Sequence, residues 1–436
     1  AKFRAEGKIN EQYDMFGMFL ILYSIVGVIT LLIGTGFYFN VDVLFDRAMT
    51  LEDLSKVRTM MLLMTVNLAF TFPMSVFGSI IVAYEDFVFQ KLVNITRIIL
   101  NPLVMIAMLM LGYRAIGMTV ITTLFNVVTL LVNCWYCFHK IHIRIYFGHF
   151  KWGFLKEVSI YSFWIFLNAI MDRIYWSSGQ FILGMYKGAV AVAVYAVAIQ
   201  LQGIYMSFST AISGVFLPKV TAMVAKENNE KAISDLFIRM GRIQYAIMAF
   251  ILTGFILFGK VFIYFWAGSD YDEAYYIALL FFIPLTIPLI QNLGIIILQA
   301  RNQMRFRCVL YVVIAFVSLG ISIPLARLYG GIGCALGTVF ALVVGQIIAM
   351  NIYYHRRIHI DIVRFWKEIF RMSLVPILLG GVGYCFLNMI TLTNAWELGL
   401  AILLFSLIYV PLFWYMGLNG YEQSLFREPL KRLLKI

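Results

Sequence analysis

The sequence predicts an all-α integral membrane protein, a bundle of twelve spanning helices. Three observations carry that expectation. Of 436 residues, 62% are hydrophobic and only 13% charged, against about 25% charged in soluble chains. The apolar residues come in blocks of roughly 20–25, enough to cross a hydrocarbon core about 30 Å thick at about 1.5 Å per residue. The connections between blocks alternate between rich and poor in Lys and Arg. Lipid offers the backbone no hydrogen bonds, so an apolar span must satisfy its own, and a helix does so.

The expected helices run in order over 15–39, 58–84, 91–112, 115–138, 157–184, 189–217, 241–267, 273–299, 304–326, 331–354, 369–390 and 396–417. The first follows a basic start (Lys2, Arg4, Lys8), and the second follows the longest poorly charged loop, 40–57. Basic connections return at Lys91 and Arg97, then at Lys140, Arg144, Lys151 and Lys156. They continue at Lys219, Lys226, Lys231, Arg239 and Arg242, and at Arg301, Arg305 and Arg307. Arg356, Arg357, Arg364, Lys367 and Arg371 follow, and the tail ends on Arg427, Lys431, Arg432 and Lys435. The opposite connections hold Arg47, Lys56, Arg58, Arg114, Lys187 and Arg327. The positive-inside rule then places both termini in the cytoplasm. The net charge of +12 is thus a matter of topology and does not call for nucleic acid. Trp152, Trp266, Trp366 and Trp396 fall near span ends, as interface anchors should. The five cysteines lie scattered in apolar segments and give no disulfide framework.

The chain also resembles itself. LGYRAIG at 111–117 matches LYGGIG at 328–333, AYEDFVF at 83–89 matches ARNQMRF at 300–306, and Asp14-Met15-Phe16 matches Asp235-Leu236-Phe237. An even number of helices per copy keeps the copies in one orientation. The expected organisation is an N-terminal lobe over 1–150 with four helices, a C-terminal lobe over 151–355 with six, and a helix pair with a basic tail over 356–436. Extended backwards, the first copy would begin roughly seventy residues before Ala1. Twelve helices of an expected fourteen would then be present, with the first two missing.

Some motifs dissolve on inspection. GFILFGKV at 254–261 opens like a phosphate-binding loop, but Val261 stands where Ser or Thr would hold magnesium, and the stretch is a span. Lys260 in it either snorkels to the outer interface or faces a polar cavity. Cys134, Cys137, His139 and His142 have metal-like spacing, but one short helical stretch cannot close a tetrahedron. No metal or cofactor is called for.

Asp172 and Arg173 are different. A charge at the centre of a span costs about 2.5–3.5 kcal/mol on insertion scales, so such residues face the bundle interior or water. Asn168 lies one turn before Asp172, and Arg173, Ser177 and Gln180 follow a neighbouring face at helical spacing. Either the pair locks helix packing, or this stripe lines a wet path in which Arg173 attracts an anion. The next helix adds Gln200, Gln202, Ser207, Ser209, Thr210 and Ser213. In 273–299, Pro284 and Pro288 bend the helix beside Gln291, Asn292 and Gln299, and Pro73 occupies nearly the same place in the first copy. Paired helix defects point to a transporter core. Arg97 and Asn101 either face the interior or snorkel.

The stretches WAGSDYDEAYYIALLFFIPLTIPL, QARNQMRFR, LYGGIGCALGT and NAIMDRIYWSSGQFILGMYKGAVAVAVYAVA resemble the Wzx-type polysaccharide flippases. These belong to the MATE-like multidrug/oligosaccharidyl-lipid/polysaccharide exporter group. The resemblance covers nearly the whole chain and implies a MATE-like two-lobe transporter bundle of fourteen helices. It implies a flippase of the bacterial inner membrane that moves undecaprenyl-pyrophosphate-linked oligosaccharide outward by alternating access, for O-antigen, capsule or exopolysaccharide. In the family the first two helices of each lobe line the cleft. Here those of the second lobe are 157–184 and 189–217, with Asp172, Arg173 and Gln200. On that reading Arg173 attracts the pyrophosphate, and Asp172 orients it or carries a coupling proton. Asn168, Gln180 and Gln200 meet sugar hydroxyls, with Lys260, Gln291 and Asn292 as further candidates. The partners are the polyprenyl-pyrophosphate oligosaccharide, membrane lipids, H+ or Na+ as coupling ion, and a polymerase or glycosyltransferase. A cation/drug antiporter of the same fold and a membrane glycosyltransferase or polymerase are the rivals. The latter needs a large external loop, and 40–57 is the longest here.

Overall fold

The computed structural model describes residues 9–45, 50–84, 86–147, 152–227, 230–301, 303–387 and 392–424. Lys2, Arg4, Lys8, Arg47, Lys151 and the basic tail residues lie outside them. The helices are α1 (Ile9–Phe39), α2 (Val41–Phe45), α3 (Leu51–Ala83), α4 (Phe87–Met110), α5 (Ala115–His139), α6 (Trp152–Tyr186), α7 (Ala189–Glu227) and α8 (Glu230–Ala267). A 3₁₀ turn (Ser269–Tyr271) leads to α9 (Asp272–Ile290), α10 (Leu293–Ala300) and α11 (Arg305–Leu342). A π-helical segment (Val343–Ala349) then joins α12 (Met350–Arg356), α13 (Ile362–Met372), α14 (Leu374–Leu387) and α15 (Ala395–Met416). The apolar segments marked out in the sequence are helical over most of their described residues, and ten elements among the described residues are long and apolar enough to span a membrane. One of these, Arg305–Arg356, covers two expected spans. The chain divides into two units, Ala1–Tyr161 and Ser162–Ile436.

In the first unit α3 is flanked by α1 and α5. Close approach is the reason for Gly27: a Cβ there would stand 2.6 Å from the Ala69 carbonyl oxygen, and small residues let membrane helices meet. Between α5 and α3, Asn126 Nδ2 donates to Asn67 Oδ1 at 2.9 Å and to Thr71 Oγ1 at 2.7 Å. Thr50 caps α3 by accepting from Asp53 N at 3.2 Å.

In the second unit the core centres on α9, whose Ile277, Phe281 and Ile290 are fully buried among α7, α8 and α11. Pro284 and Pro288 remove two backbone donors from α9, which stops at Ile290 and resumes at Leu293 after a turn at Gln291 and Asn292. Side chains from the neighbours reach the carbonyls at the break. Ser209 of α7 donates to Leu289 O at 2.7 Å, and Gln244 of α8 can donate to Ile290 O at 3.0 Å. In α11, Gly330 at φ 62° divides the two expected spans, a left-handed position that suits glycine. The expected span 369–390 begins earlier than the sequence suggested, with the amphipathic α13. Asp361 caps it by accepting from Arg364 N at 2.9 Å.

Candidate functional site

The site is built on α6. One face of this helix is buried, with Met171, Tyr175, Gly179, Ile182 and Leu183 inward. Tyr175 Oη donates to the Thr338 carbonyl at 2.6 Å. Gly179 lies against Tyr195, whose hydroxyl would be 2.5 Å from a Cβ there. Trp176 meets Phe281 edge-on at 6.0 Å. These contacts fix the rotation of α6 about its axis. Helical periodicity then turns Asp172, Arg173 and Ser177 outward, all three exposed, with Trp176 and Gln180 half-buried beside them. Asn168 is on the same helix, but its side chain lies outside the described residues.

A third charge joins the pair. Arg307, in the first turn of α11, places its guanidinium 4.8 Å from the centre of the Tyr311 ring. It lies within electrostatic reach of Asp172, as does Arg173, and the Trp176 indole flanks the same carboxylate. No ion pair closer than 4 Å ties Asp172 to either arginine among the described residues. Arg307 Nε is buried without a hydrogen-bond partner. Two guanidiniums near one carboxylate leave a net positive charge. Sequence reasoning counted Arg307 among the charges of a cytoplasmic connection. The Arg307/Tyr311 spacing of one helical turn was the signal that could have drawn it inward.

The polar residues of α7 divide by face. Gln200, Ser207 and Thr210 are exposed. Gln202, Ser209 and Ser213 are buried and belong to packing, which corrects their assignment to a wet path. Ser209 closes the end of α9, and Ser213 bonds to the Gln244 amide at 2.6 Å. Gln291 is also corrected. It is 2% exposed and exchanges hydrogen bonds with Asn351 at 2.9 and 3.3 Å. Asn351 Oδ1 also accepts from Trp366 Nε1 at 3.1 Å, so Trp366 braces the lobe. Asn292 forms the half-buried turn after α9 and makes no capping bond through its side chain. Lys260 is exposed, and its Nζ stands 3.7 Å from Asp272. In the first unit, Arg97 and Asn101 line a shallow recess of about 390 Å³ with Asn94, Ile98 and Pro102.

A family model described as "Polysaccharide biosynthesis protein" matches residues 55–276. Among solved structures, the chain is similar to "Lipid II flippase MurJ, inward closed conformation", with a TM-score of 0.71 and 17% identity. That match covers 93% of this chain and 85% of the other. It is also similar to a MOP superfamily transporter from Pyrococcus furiosus, with a TM-score of 0.51 and 18% identity over 80% of this chain and 81% of that one. The chain therefore shares the fold of these transporters. No curated protein matches it by sequence.

Proposed function

We propose, since the chain belongs to the polysaccharide biosynthesis protein family, that it is a flippase which carries a polyprenyl-pyrophosphate-linked oligosaccharide across a membrane. The observation that carries this reading is the charged cluster on α6 and α11, where Arg307 and Arg173 both lie within electrostatic reach of Asp172. Charges in a spanning segment are costly and persist where they face water or a ligand. A guanidinium offers a flat fork of donors that matches phosphate oxygens, and the pairing strengthens as the dielectric falls. Asp172 lies near enough to both cations to offset part of their repulsion without pairing closely with either. A pyrophosphate arriving there supplies the close partner that the carboxylate does not. Gln180 and Gln200, with Ser207 and Thr210, offer hydrogen bonds to a glycan trailing from the headgroup.

The membrane we assign is the bacterial inner membrane, with both termini cytoplasmic because the basic connections gather on that side. The products served are O-antigen, capsule or exopolysaccharide. Asp172, so placed, can also carry a coupling proton. Deletion of the gene is expected to leave lipid-linked repeat units on the inner leaflet, restored to export by the intact gene. Normal surface polysaccharide in the deletion strain, with sensitivity to cationic dyes instead, would replace this reading with that of a cation/drug antiporter.

A further inference from the structure

The α13–α14 helix carries a feature that transport does not use. The helix continues through Ser373, whose N–H donates to Ile369 O at 3.0 Å and whose carbonyl accepts from Ile377 N at 3.1 Å, although Pro376 supplies no N–H to the Met372 carbonyl. One register therefore governs both helices. The inward face is Ile362, Phe365, Ile369, Met372 and Val375, all buried. On the other side a single stripe contains Val363, Lys367, Phe370, Arg371, Leu374, Ile377 and Leu378, spaced as helical neighbours. Its apolar members are well exposed, Phe370 at 78% and Ile377 at 66%. In a membrane protein such a face meets acyl chains.

Lys367 and Arg371 interrupt the stripe at one level. With about 1.5 Å per residue, they lie about 10 and 5 Å below Leu374. The headgroup layer on each side of a bilayer is about 5–7 Å thick. With the acyl core beginning near Leu374, Arg371 falls within that layer, and the Lys367 backbone lies about 3–5 Å beyond it, a gap its long side chain can span. Protein carboxylates leave them largely unneutralised. Lys367 has no ion-pair partner among the described residues, and Arg371 approaches Glu368 only to 3.9 Å. Glu368 is already held by Arg242 at 2.6 Å. Arg364, by contrast, is taken by Asp235 at 2.6 Å.

We infer that Lys367 and Arg371, with the apolar stripe of Phe370, Leu374, Ile377 and Leu378, form a binding site for an anionic phospholipid in the leaflet at the α13 end of the chain. The phosphate sits between the two cations while the acyl chains lie along α14. Charge, depth and apolar surface all suit that occupant, and a soluble anion would use only the first. The inference does not depend on what the protein transports.

The test is native mass spectrometry of the purified full chain titrated with phosphatidylglycerol or phosphatidylcholine. Phosphatidylglycerol should bind the wild type more tightly. The double variant Lys367→Ala/Arg371→Ala should weaken that binding about thirtyfold. The control Arg356→Ala/Arg357→Ala removes the same charge at two exposed neighbours and should leave it within about twofold. The exchange Lys367→Arg/Arg371→Lys keeps the charge and should retain binding, and a matching gel-filtration profile shows that each variant is folded. Equal binding of the two lipids, equal loss in the control, or displacement by inorganic phosphate at millimolar concentration would each overturn the site.

Discussion

Substituting Arg242 by alanine should be among the most destabilising single changes in the second unit. Its guanidinium is 6% exposed and makes a bidentate pair with Glu422, Nε to Oε1 at 2.5 Å and Nη2 to Oε2 at 2.9 Å. Nη1 reaches Glu368 at 2.6 Å and Nη2 the Gly417 carbonyl at 3.1 Å. One side chain on α8 thereby holds α13 and the segment after α15. Glu422 is fully buried, so removing its partner strands a carboxylate away from water. Breaking such a pair costs about 3–5 kcal/mol. Two features favour the lower half of that range. Asn419 N still donates to Glu422 at 2.9 Å, and Glu368 is partly exposed and can turn towards Arg371. The expected loss is therefore about 3–4 kcal/mol. The double variant Arg242→Met/Glu422→Met removes both charges and their desolvation together, and should cost about 1 kcal/mol or less. In the cycle of Arg242→Met, Glu422→Met and the double, the coupling is then at least about 2 kcal/mol, larger by whatever Glu422→Met costs alone. Equilibrium unfolding in mixed micelles, followed by tryptophan fluorescence, measures all the corners. A loss below about 1 kcal/mol for Arg242→Ala, or a double variant no better than the singles, would refute the reasoning.

Three further outcomes follow from the packing. Gly330→Ala places a side chain at φ 62° and should cost about 1–2 kcal/mol in the same unfolding assay. Ser209→Ala removes the side-chain donor to the Leu289 carbonyl, which keeps Asn292 N at 3.3 Å, and should cost about 1 kcal/mol or less, with Thr210→Ala on the exposed face nearly neutral. Gly27→Leu drives a side chain into the Ala69 carbonyl and should abolish accumulation of folded protein in the membrane, read by gel filtration of the extracted chain.

Much of the architecture was legible because it rests on composition. Apolar blocks set between charged connections needed no tertiary information to be recognised as helices, and Pro284 with Pro288 announced the interruption of α9. What stayed hidden depends on which face turns inward. The polar residues of α7 lie all round that helix, so periodicity separates Ser209 and Ser213 from Ser207 and Thr210 without saying which pair is buried. Gln291 looked like a ligand because a polar group beside a proline often is one, and only the approach of Asn351 shows its bonds already taken. Arg307 was missed for the opposite reason. It sits in a run of cations near a span end, and stacking on Tyr311 sets it apart from Arg305. The first helical turns of α13 were hidden by their own charges, since Arg364, Lys367 and Arg371 made a helix resemble a connection.

The central claim is that the cations beside Asp172 hold the anionic headgroup during transport. It is tested most directly by flipping of a pyrophosphate-linked oligosaccharide in vesicles reconstituted with the protein and its variants. Loss of a charge-assisted bond of about 1.5–3 kcal/mol predicts that Arg173→Ala slows transport about 10- to 100-fold. Arg173→Lys, which keeps the charge but not the fork, should fall between. Arg173→Ala moving the lipid at the wild-type rate would contradict the account.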